Sequence, residues 1–237
     1  MTEYHMNKKK PLLGILGGMG TQATASFYEK LHSLQQVKYE QEYIDVILYS
    51  KPSTPDRTAF ITKQSKENPI DSLICAIKTL ESAGATCIAI PCATAHFFYD
   101  ELSSAVNIPI INMIDETARF IVDKGYKNIY LLATDGSLKS RVFQTSFERH
   151  GINILGDNLL DTCNSQVMLM SLIYDIKRGV TTQSDINKLL NNAVEQALEN
   201  GADAVVLGCT ELCISTSKTP NVINTLEVLS HAALSFR

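Results

Sequence analysis

Two cysteines of this 237-residue chain stand in the same local context, and that context favours reactive thiols. Cys92 follows the apolar run 87–90, and Cys209 follows the apolar run 204–207. Each run predicts a buried strand, so each cysteine is expected where a strand turns into a helix. A helix N-terminus carries a partial positive charge, which lowers the pKa of a thiol and favours the reactive thiolate. We therefore predict that both thiols do chemistry.

The two cysteines also occupy matching positions in an internal repeat. A glycine precedes each cysteine by eight residues, and the offset between the two copies is 117 residues. The glycine-rich turn at Gly17 and the turn at Thr134 repeat at the same offset, and Thr21 is positioned to cap the helix after the first turn. Because ligands bind at the carboxyl ends of strands in open α/β sheets, two related halves would deliver two thiols to one ligand.

Strand-like and helix-like segments alternate along the chain, which predicts an α/β fold with parallel sheets covered by helices. We expect two pseudo-symmetric Rossmann-like domains with the active site in the cleft between them. Residues 1–112 and 224–237 are expected to form the domain of Cys92, and residues 113–223 that of Cys209. The predicted strands are 12–16, 44–49, 87–90, 108–111, 128–133, 204–207 and 220–223, and the predicted helices after the first are 70–83, 114–122, 137–150, 165–177, 184–200 and 226–234.

Composition and charge narrow the range of functions. The net charge is −4, and the lysine run 8–10 is too short to form a nucleic-acid surface, so no nucleic-acid partner is expected. No apolar stretch approaches the roughly 20 residues of a membrane span, so no membrane partner is expected. The basic and apolar N-terminus imitates a secretory signal, but glycines interrupt it and favour a strand and turn instead. We expect a cytoplasmic protein.

The other cysteines and the histidines show no pattern typical of a metal site or a disulfide framework. The chain has six cysteines and five histidines without a CxxC pair or ligand spacing, so we expect reduced thiols and no metal. The turn at Gly17 lacks the full G-x-G-x-x-G pattern and a P-loop lysine, so nucleotide binding is not expected. His96 is expected to be a hydrogen-bonded positioning group. Four cysteines are expected to be buried packing residues: Cys75, Cys87, Cys163 and Cys213.

Four motifs, in order and spanning nearly the whole chain, resemble those of the aspartate racemases in the aspartate/glutamate racemase superfamily. They are Gly-Gly-Met-Gly with a following Ala-Thr (17–24), Pro-Asp-Arg-Thr (55–58), Pro-Cys-Ala-Thr-Ala-His (91–96) and Gly-Cys-Thr-Glu (208–211). The resemblance implies an enzyme that interconverts L- and D-aspartate, with glutamate as a further substrate. It also implies that no cofactor, pyridoxal phosphate included, is needed. We expect a homodimer that binds an amino acid with a side-chain carboxylate.

The resemblance also assigns roles to particular residues. Cys92 and Cys209 would flank the substrate Cα, so that one removes the proton as thiolate and the other returns a proton to the opposite face. A thiol suits both tasks because its pKa of about 8.5 can be tuned toward neutrality. Arg57 and Lys177 are expected to hold the side-chain carboxylate. The other predicted substrate-binding residues are Met19, Ala93, Thr94, Thr134, Thr210 and Glu211.

Ala93 departs from the family pattern, in which an asparagine follows the first cysteine. A hydrogen bond to a charged group is worth about 1.5–3 kcal/mol, so its loss would cost roughly one to two decades of activity or alter the choice of substrate. Two alternatives therefore stay open. The chain could racemise another amino acid, or it could be a non-catalytic amino-acid-binding or redox-sensing protein.

Structural explanations also exist for the charged residues of the predicted site. Arg57 could be a solvated loop cation, and Lys177 could simply suit the C-terminal end of a helix. Glu211 could favour a helix N-terminus, and in glutamate racemases a histidine stands at that position. Met19 could be either a turn residue or a lid over the substrate.

Overall fold

The computed structural model describes residues 11–155, 165–181, 183–214 and 220–236, so Cys163 and the lysine run 8–10 lie outside the described residues. The described residues form seven strands: β1 Leu12–Gly17, β2 Asp45–Ser50, β3 Cys87–Ala89, β4 Asn128–Leu132, β5 Asn153–Ile154, β6 Ala204–Leu207 and β7 Val222–Asn224. They also form ten α-helices: α1 Thr21–Ser33, α2 Arg57–Ile61, α3 Ile70–Ser82, α4 Tyr99–Ala105, α5 Met113–Asp123, α6 Asp135–Ser140, α7 Val142–Arg149, α8 Ser165–Arg178, α9 Gln183–Glu199 and α10 Thr225–Ser235.

The strands form two parallel sheets, which confirms the predicted α/β class. The first sheet has the order β2-β1-β3, and the second has the order β5-β4-β6-β7. Every pair of strands is parallel, as alternating strands and helices require. β3 pairs with β1 at one edge of the first sheet, and β6 pairs with β4 and β7 inside the second. β3 and β6 are the strands that lead to the two cysteines.

In the first sheet β1 and β3 are buried on both faces, whereas β2 is a partly exposed edge strand. Alternate side chains of the buried strands pack into two separate clusters. Leu13 and Ile15 belong to the cluster that extends to the second sheet, whereas Leu16 and Ile88 pack with α3. This division follows from the two-residue period of a strand. α3 presents an apolar stripe to β1 at helical spacing, made of Leu73, Ala76, Ile77 and Leu80, all fully buried.

One hydrophobic core joins the two halves. It includes Phe27 of α1, Ile129 of β4 and Leu229 of α10, each fully buried. α10 follows β7 of the second sheet and packs against α1 and α5. The predicted return of the chain near residue 224 and the domain boundaries stay predictions.

The structure differs from the predicted elements at several places. The predicted helix 137–150 is two helices, α6 and α7, because Arg141 has φ 56°, and a left-handed residue ends a right-handed helix. The predicted strand 108–111 contributes one isolated bridge, since Pro109 has no N–H to donate. Thr21 is the first residue of α1, and Gly20 occupies the cap position. β5 was not predicted, because two residues carry no periodicity.

Two further observations concern burial. Cys75 is exposed on α3, so the expectation that it is a packing residue was wrong, whereas Cys87 and Cys213 are buried. The described cysteines are free thiols.

Among the helices that the structure describes, none has both the length and the apolar character needed to cross a membrane.

Candidate active site

The two strand ends bring Cys92 and Cys209 to one closed cavity. Cys92 lies three residues beyond β3, and Cys209 lies two residues beyond β6. Both side chains line the same cavity, and the two residues are 6% and 4% exposed. Because the two strands belong to different sheets, the cavity lies between the repeated halves of the chain.

All ten predicted site residues line this cavity, and none lies elsewhere. The space open to the centre of a water molecule is about 10 Å³, which is room for about one water. An amino acid is several times larger than this space. The cavity is lined by Met19, Asp56, Arg57, Thr58, Cys92, Ala93, Thr94, Thr134, Lys177, Cys209, Thr210 and Glu211.

The expectation that a helix N-terminus activates each thiol is wrong for Cys209. Cys92 directly precedes the 3₁₀ helix Ala93–Phe98, which continues into α4, as the sequence predicts. Cys209 precedes only the three-residue 3₁₀ helix Leu212–Ile214, which aligns few peptide dipoles. For Cys209 the direction is also opposite, since burial and then the nearby Glu211 carboxylate raise the pKa of the thiol well above its usual value.

Glu211 is the hydrogen-bond partner of that thiol. The Sγ of Cys209 donates to Oε2 of Glu211 at 3.0 Å, and the hydroxyl of Thr210 lies 3.4 Å from the same oxygen. The other carboxylate oxygen, Oε1, is buried and has no hydrogen-bond partner. Cys209 is therefore held as a protonated thiol, and one carboxylate oxygen remains open toward the cavity.

Lys177 approaches Glu211 from the last turn of α8. Its Nζ is 4.0 Å from Oε1 of Glu211, an ion-pair distance that is too long for a hydrogen bond. Burial alone would lower the pKa of Lys177, but the Glu211 carboxylate, with Cys209 and Cys92, raises it overall. The ammonium is consequently charged and lies at the edge of the cavity.

Arg57 is buried as the first residue of α2, with 6% of its surface exposed. Its Nη1 donates to the carbonyls of Thr54 at 3.2 Å and Pro55 at 2.9 Å, and Nη2 donates to the carbonyl of Met19 at 3.3 Å. These bonds use three of the five N–H groups of a guanidinium. The buried Nε has no partner, so a fixed donor remains for an anionic ligand.

Three hydroxyl groups connect the two halves beside the cavity. Thr94 Oγ1 lies 2.9 Å from Thr134 Oγ1 and 3.1 Å from Ser137 Oγ, and the last two are 3.1 Å apart. Thr134 also caps α6, since its Oγ1 accepts from the backbone N–H of Ser137. A side chain at Gly136 would place Cβ 2.9 Å from Cα of Thr58, so the close contact of the halves requires glycine there.

His96 forms hydrogen bonds with backbone groups and does not line the cavity. Its Nδ1 lies 3.0 Å from the carbonyl of Cys92, and its Nε2 accepts from the N–H of Met113 at 3.1 Å. Burial lowers the pKa of the imidazole, so the ring is neutral. Both ring nitrogens are occupied, which agrees with the expected positioning role.

Sequence reasoning missed two residues that line the cavity, Asp56 and Thr58, and one that hydrogen-bonds beside it, Ser137. The first two flank Arg57 in the motif 55–58 and line the cavity with it. Asp56 also caps α2, because its Oδ1 accepts from the N–H of Ala59 at 2.7 Å. Asp56 and Thr58 were predictable from the sequence, because residues next to a binding arginine at the start of a helix lie close to the same cavity. Ser137 stands at the third helical position after a capping threonine, which is also a recognisable spacing.

Two parallel sheets each bring one cysteine to a shared cavity, and comparison with known proteins gives the family. The chain belongs to the Asp/Glu/hydantoin racemase family, whose model matches residues 16–232. It resembles the aspartate racemase of Picrophilus torridus, with 30% identity and a TM-score of 0.78 over 95% of this chain and 93% of that one.

Two other relatives mark the range of similarity. The broad specificity amino-acid racemase RacX of Bacillus subtilis (strain 168) is 26% identical over 211 residues, which are 85% of this chain and 86% of the relative. The glutamate racemase of Francisella tularensis, solved in complex with D-glutamate, has 16% identity and a TM-score of 0.62 over 95% of this chain and 80% of that one. At that identity the likeness concerns the fold alone.

Proposed function

We propose that this racemase interconverts L- and D-aspartate by a two-base mechanism, with Cys92 and Cys209 on opposite faces of the substrate Cα. The observation that carries the proposal is the closed cavity that both thiols share with Arg57 and Lys177. Racemisation needs a base on one face of Cα and an acid on the other, and two thiols can exchange these tasks. Glutamate is the further substrate to be tested.

The proton state of the thiols suggests the direction of the first step. Cys209 donates to Glu211 and has a raised pKa, so it is the acid of the resting enzyme. Cys92 would then act as the base that removes the α-proton, and Cys209 would protonate the opposite face. After this turnover Cys209 is the thiolate, and Lys177 favours that state because its positive charge lowers the pKa of the thiol.

The two cations of the cavity favour a substrate with a side-chain carboxylate. Arg57 has an unpartnered buried Nε–H, and Lys177 is held charged. An amino acid with a neutral side chain brings one carboxylate instead of two, so it satisfies fewer of these buried cationic donors, and an unsatisfied buried charge is costly. A bidentate or charge-assisted contact with the β-carboxylate of aspartate would satisfy Arg57.

A second candidate is racemisation of a wider set of amino acids. Ala93 supports it, because alanine cannot hydrogen-bond the substrate as the asparagine of the family pattern does. The broad specificity named for the Bacillus subtilis relative supports it as well. Under this candidate the cations would contribute less to the choice of substrate.

The test is a substrate panel with purified protein in D2O. L-aspartate, L-glutamate, L-alanine and L-lysine are incubated separately, with loss of the α-proton followed by NMR and enantiomers separated by chiral chromatography. The proposal predicts the highest kcat/KM for aspartate. Faster turnover of alanine or lysine would favour the second candidate, and no exchange with any amino acid would indicate a binding protein.

A further inference from the structure

The carboxylate of Glu211 lies next to the sulfur that would contact the substrate's Cα. Its Oε2 is 3.0 Å from Sγ of Cys209, and in the proposed reaction this sulfur must reach Cα. A group that close to the sulfur faces the other atoms bonded to Cα, which are the α-carboxylate and the α-ammonium. The assignment below therefore rests on the proposed function.

The free oxygen of Glu211 needs a hydrogen-bond donor. Glu211 is 3% exposed, and its Oε1 has no hydrogen-bond partner. The nearest cation, Nζ of Lys177, stays at 4.0 Å, which is beyond hydrogen-bond reach. A buried carboxylate oxygen without a donor is costly, so a ligand that brings a cationic N–H donor would be stabilised there.

Gly20 provides the space that this oxygen occupies. A Cβ at position 20 would lie 2.7 Å from Oε1 of Glu211, which is closer than a carbon and an oxygen can pack. The oxygen is thus held between the glycine turn of the first half and α8, at the wall of the cavity. Any side chain at Gly20 would displace it.

The cavity therefore contains two opposite requirements. Arg57 offers an unpartnered N–H to an anion, and Glu211 offers an unpartnered oxygen to a cation. A single small ligand satisfies both only if it carries both charges. We propose that Oε1 of Glu211 receives the α-ammonium of the substrate, and that this subsite restricts the enzyme to compounds with a free amino group on Cα.

The experiment compares two ligands that differ by one group. L-aspartate and succinate share both carboxylates, but succinate lacks the ammonium. Calorimetric affinities are measured for the wild type and for Glu211→Gln, which keeps the side-chain volume and an oxygen that can accept from Cys209. The wild type should bind aspartate more tightly than succinate.

In Glu211→Gln the affinity for aspartate should fall roughly 10- to 100-fold, the value of one charge-assisted hydrogen bond. The affinity for succinate should stay equal or rise, because the repelling carboxylate is gone. Glu227→Gln is the matched control, since Glu227 is a half-exposed residue on α10 that pairs with Lys30 at 3.8 Å. It should leave both affinities unchanged.

Gly20→Ala gives a second, steric approach to the same oxygen and keeps its charge. It should weaken aspartate binding without improving succinate binding, and circular dichroism checks that both variants are folded. If the wild type racemises aspartate but Glu211→Gln weakens both ligands equally or neither, the ammonium subsite alone is overturned. If the wild type neither binds nor racemises aspartate, the proposed function fails and the subsite with it.

Discussion

The two cysteine strand ends repeat in sequence, yet they differ in the chemistry beside each thiol. Two residues after Cys92 stands Thr94, whose hydroxyl contacts hydroxyls of the other half. Two residues after Cys209 stands Glu211, whose carboxylate accepts a hydrogen bond from the thiol at 3.0 Å. The repeat thus positions two equivalent sulfurs, but their neighbours differ. The Cys209 thiol has a carboxylate partner, whereas the residue two positions after Cys92 contacts the other half of the chain.

The positions directly after the cysteines differ as well. Ala93 places a methyl group at the cavity wall, whereas Thr210 places a hydroxyl there. Under the proposed mechanism the two bases would have unlike surroundings, since the Glu211 carboxylate raises the pKa of the Cys209 thiol.

The largest expected effect is loss of either thiol. Cys92→Ser and Cys209→Ser should each reduce net racemisation of aspartate by at least about a thousandfold, because serine is a far weaker acid near neutral pH. Polarimetry of L- and D-aspartate measures the loss. Cys75→Ser is the control, since Cys75 is exposed on α3 and should leave the rate unchanged.

Arg57→Lys should have the next largest effect. Lysine keeps the charge but cannot reproduce a planar guanidinium held by three carbonyls, so kcat/KM for aspartate should fall roughly 10- to 100-fold. For a neutral amino acid the loss should be much smaller. Unchanged turnover of aspartate would mean that the guanidinium is purely structural.

Ala93→Asn tests the difference between the positions that follow the two cysteines. The new amide would supply a polar contact on the side of Cys92 and should raise kcat/KM for aspartate about tenfold, the value of roughly 1.4 kcal/mol. A fall in kcat/KM would indicate that the closed cavity has no room for the amide. It would also favour a substrate other than aspartate.

The smallest effect concerns the proton of Cys209. After burial, the Glu211 carboxylate is the main cause of the raised pKa of this thiol, so Glu211→Gln should lower that pKa. The pH dependence of alkylation of Cys209 by iodoacetamide, followed by mass spectrometry, should shift to lower pH in the variant. A shift to higher pH would contradict the electrostatic account of the asymmetry.

Much of the fold and the site was predictable because local patterns determine both. The apolar runs before Cys92 and Cys209 are β3 and β6, and the predicted site residues meet at one cavity because parallel strands share their carboxyl edge. The contact between Thr94 and Thr134 was not predictable, since it joins residues 40 positions apart in the sequence. The end of α6 at Arg141 was not predictable either, because arginine is common inside helices.

The raised pKa of Cys209 shows most clearly what the sequence could not predict. Sequence position suggested a thiol activated by a helix, but the pKa depends on how completely the other half buries the sulfur and on where Glu211 directs its carboxylate. Both are tertiary properties. A motif therefore identifies the reacting residues more reliably than it identifies their protonation state.

The central claim, one base on each face of Cα, is tested most directly by hydrogen exchange in the single-cysteine variants. Deuterium incorporation into L-aspartate and into D-aspartate is measured separately for Cys92→Ser and Cys209→Ser in D2O. Each variant keeps one thiol, so each should exchange the α-proton of one enantiomer without inverting it, and the two variants should prefer opposite enantiomers. Substantial racemisation by either variant, or the same enantiomer preference in both, would contradict the two-thiol mechanism.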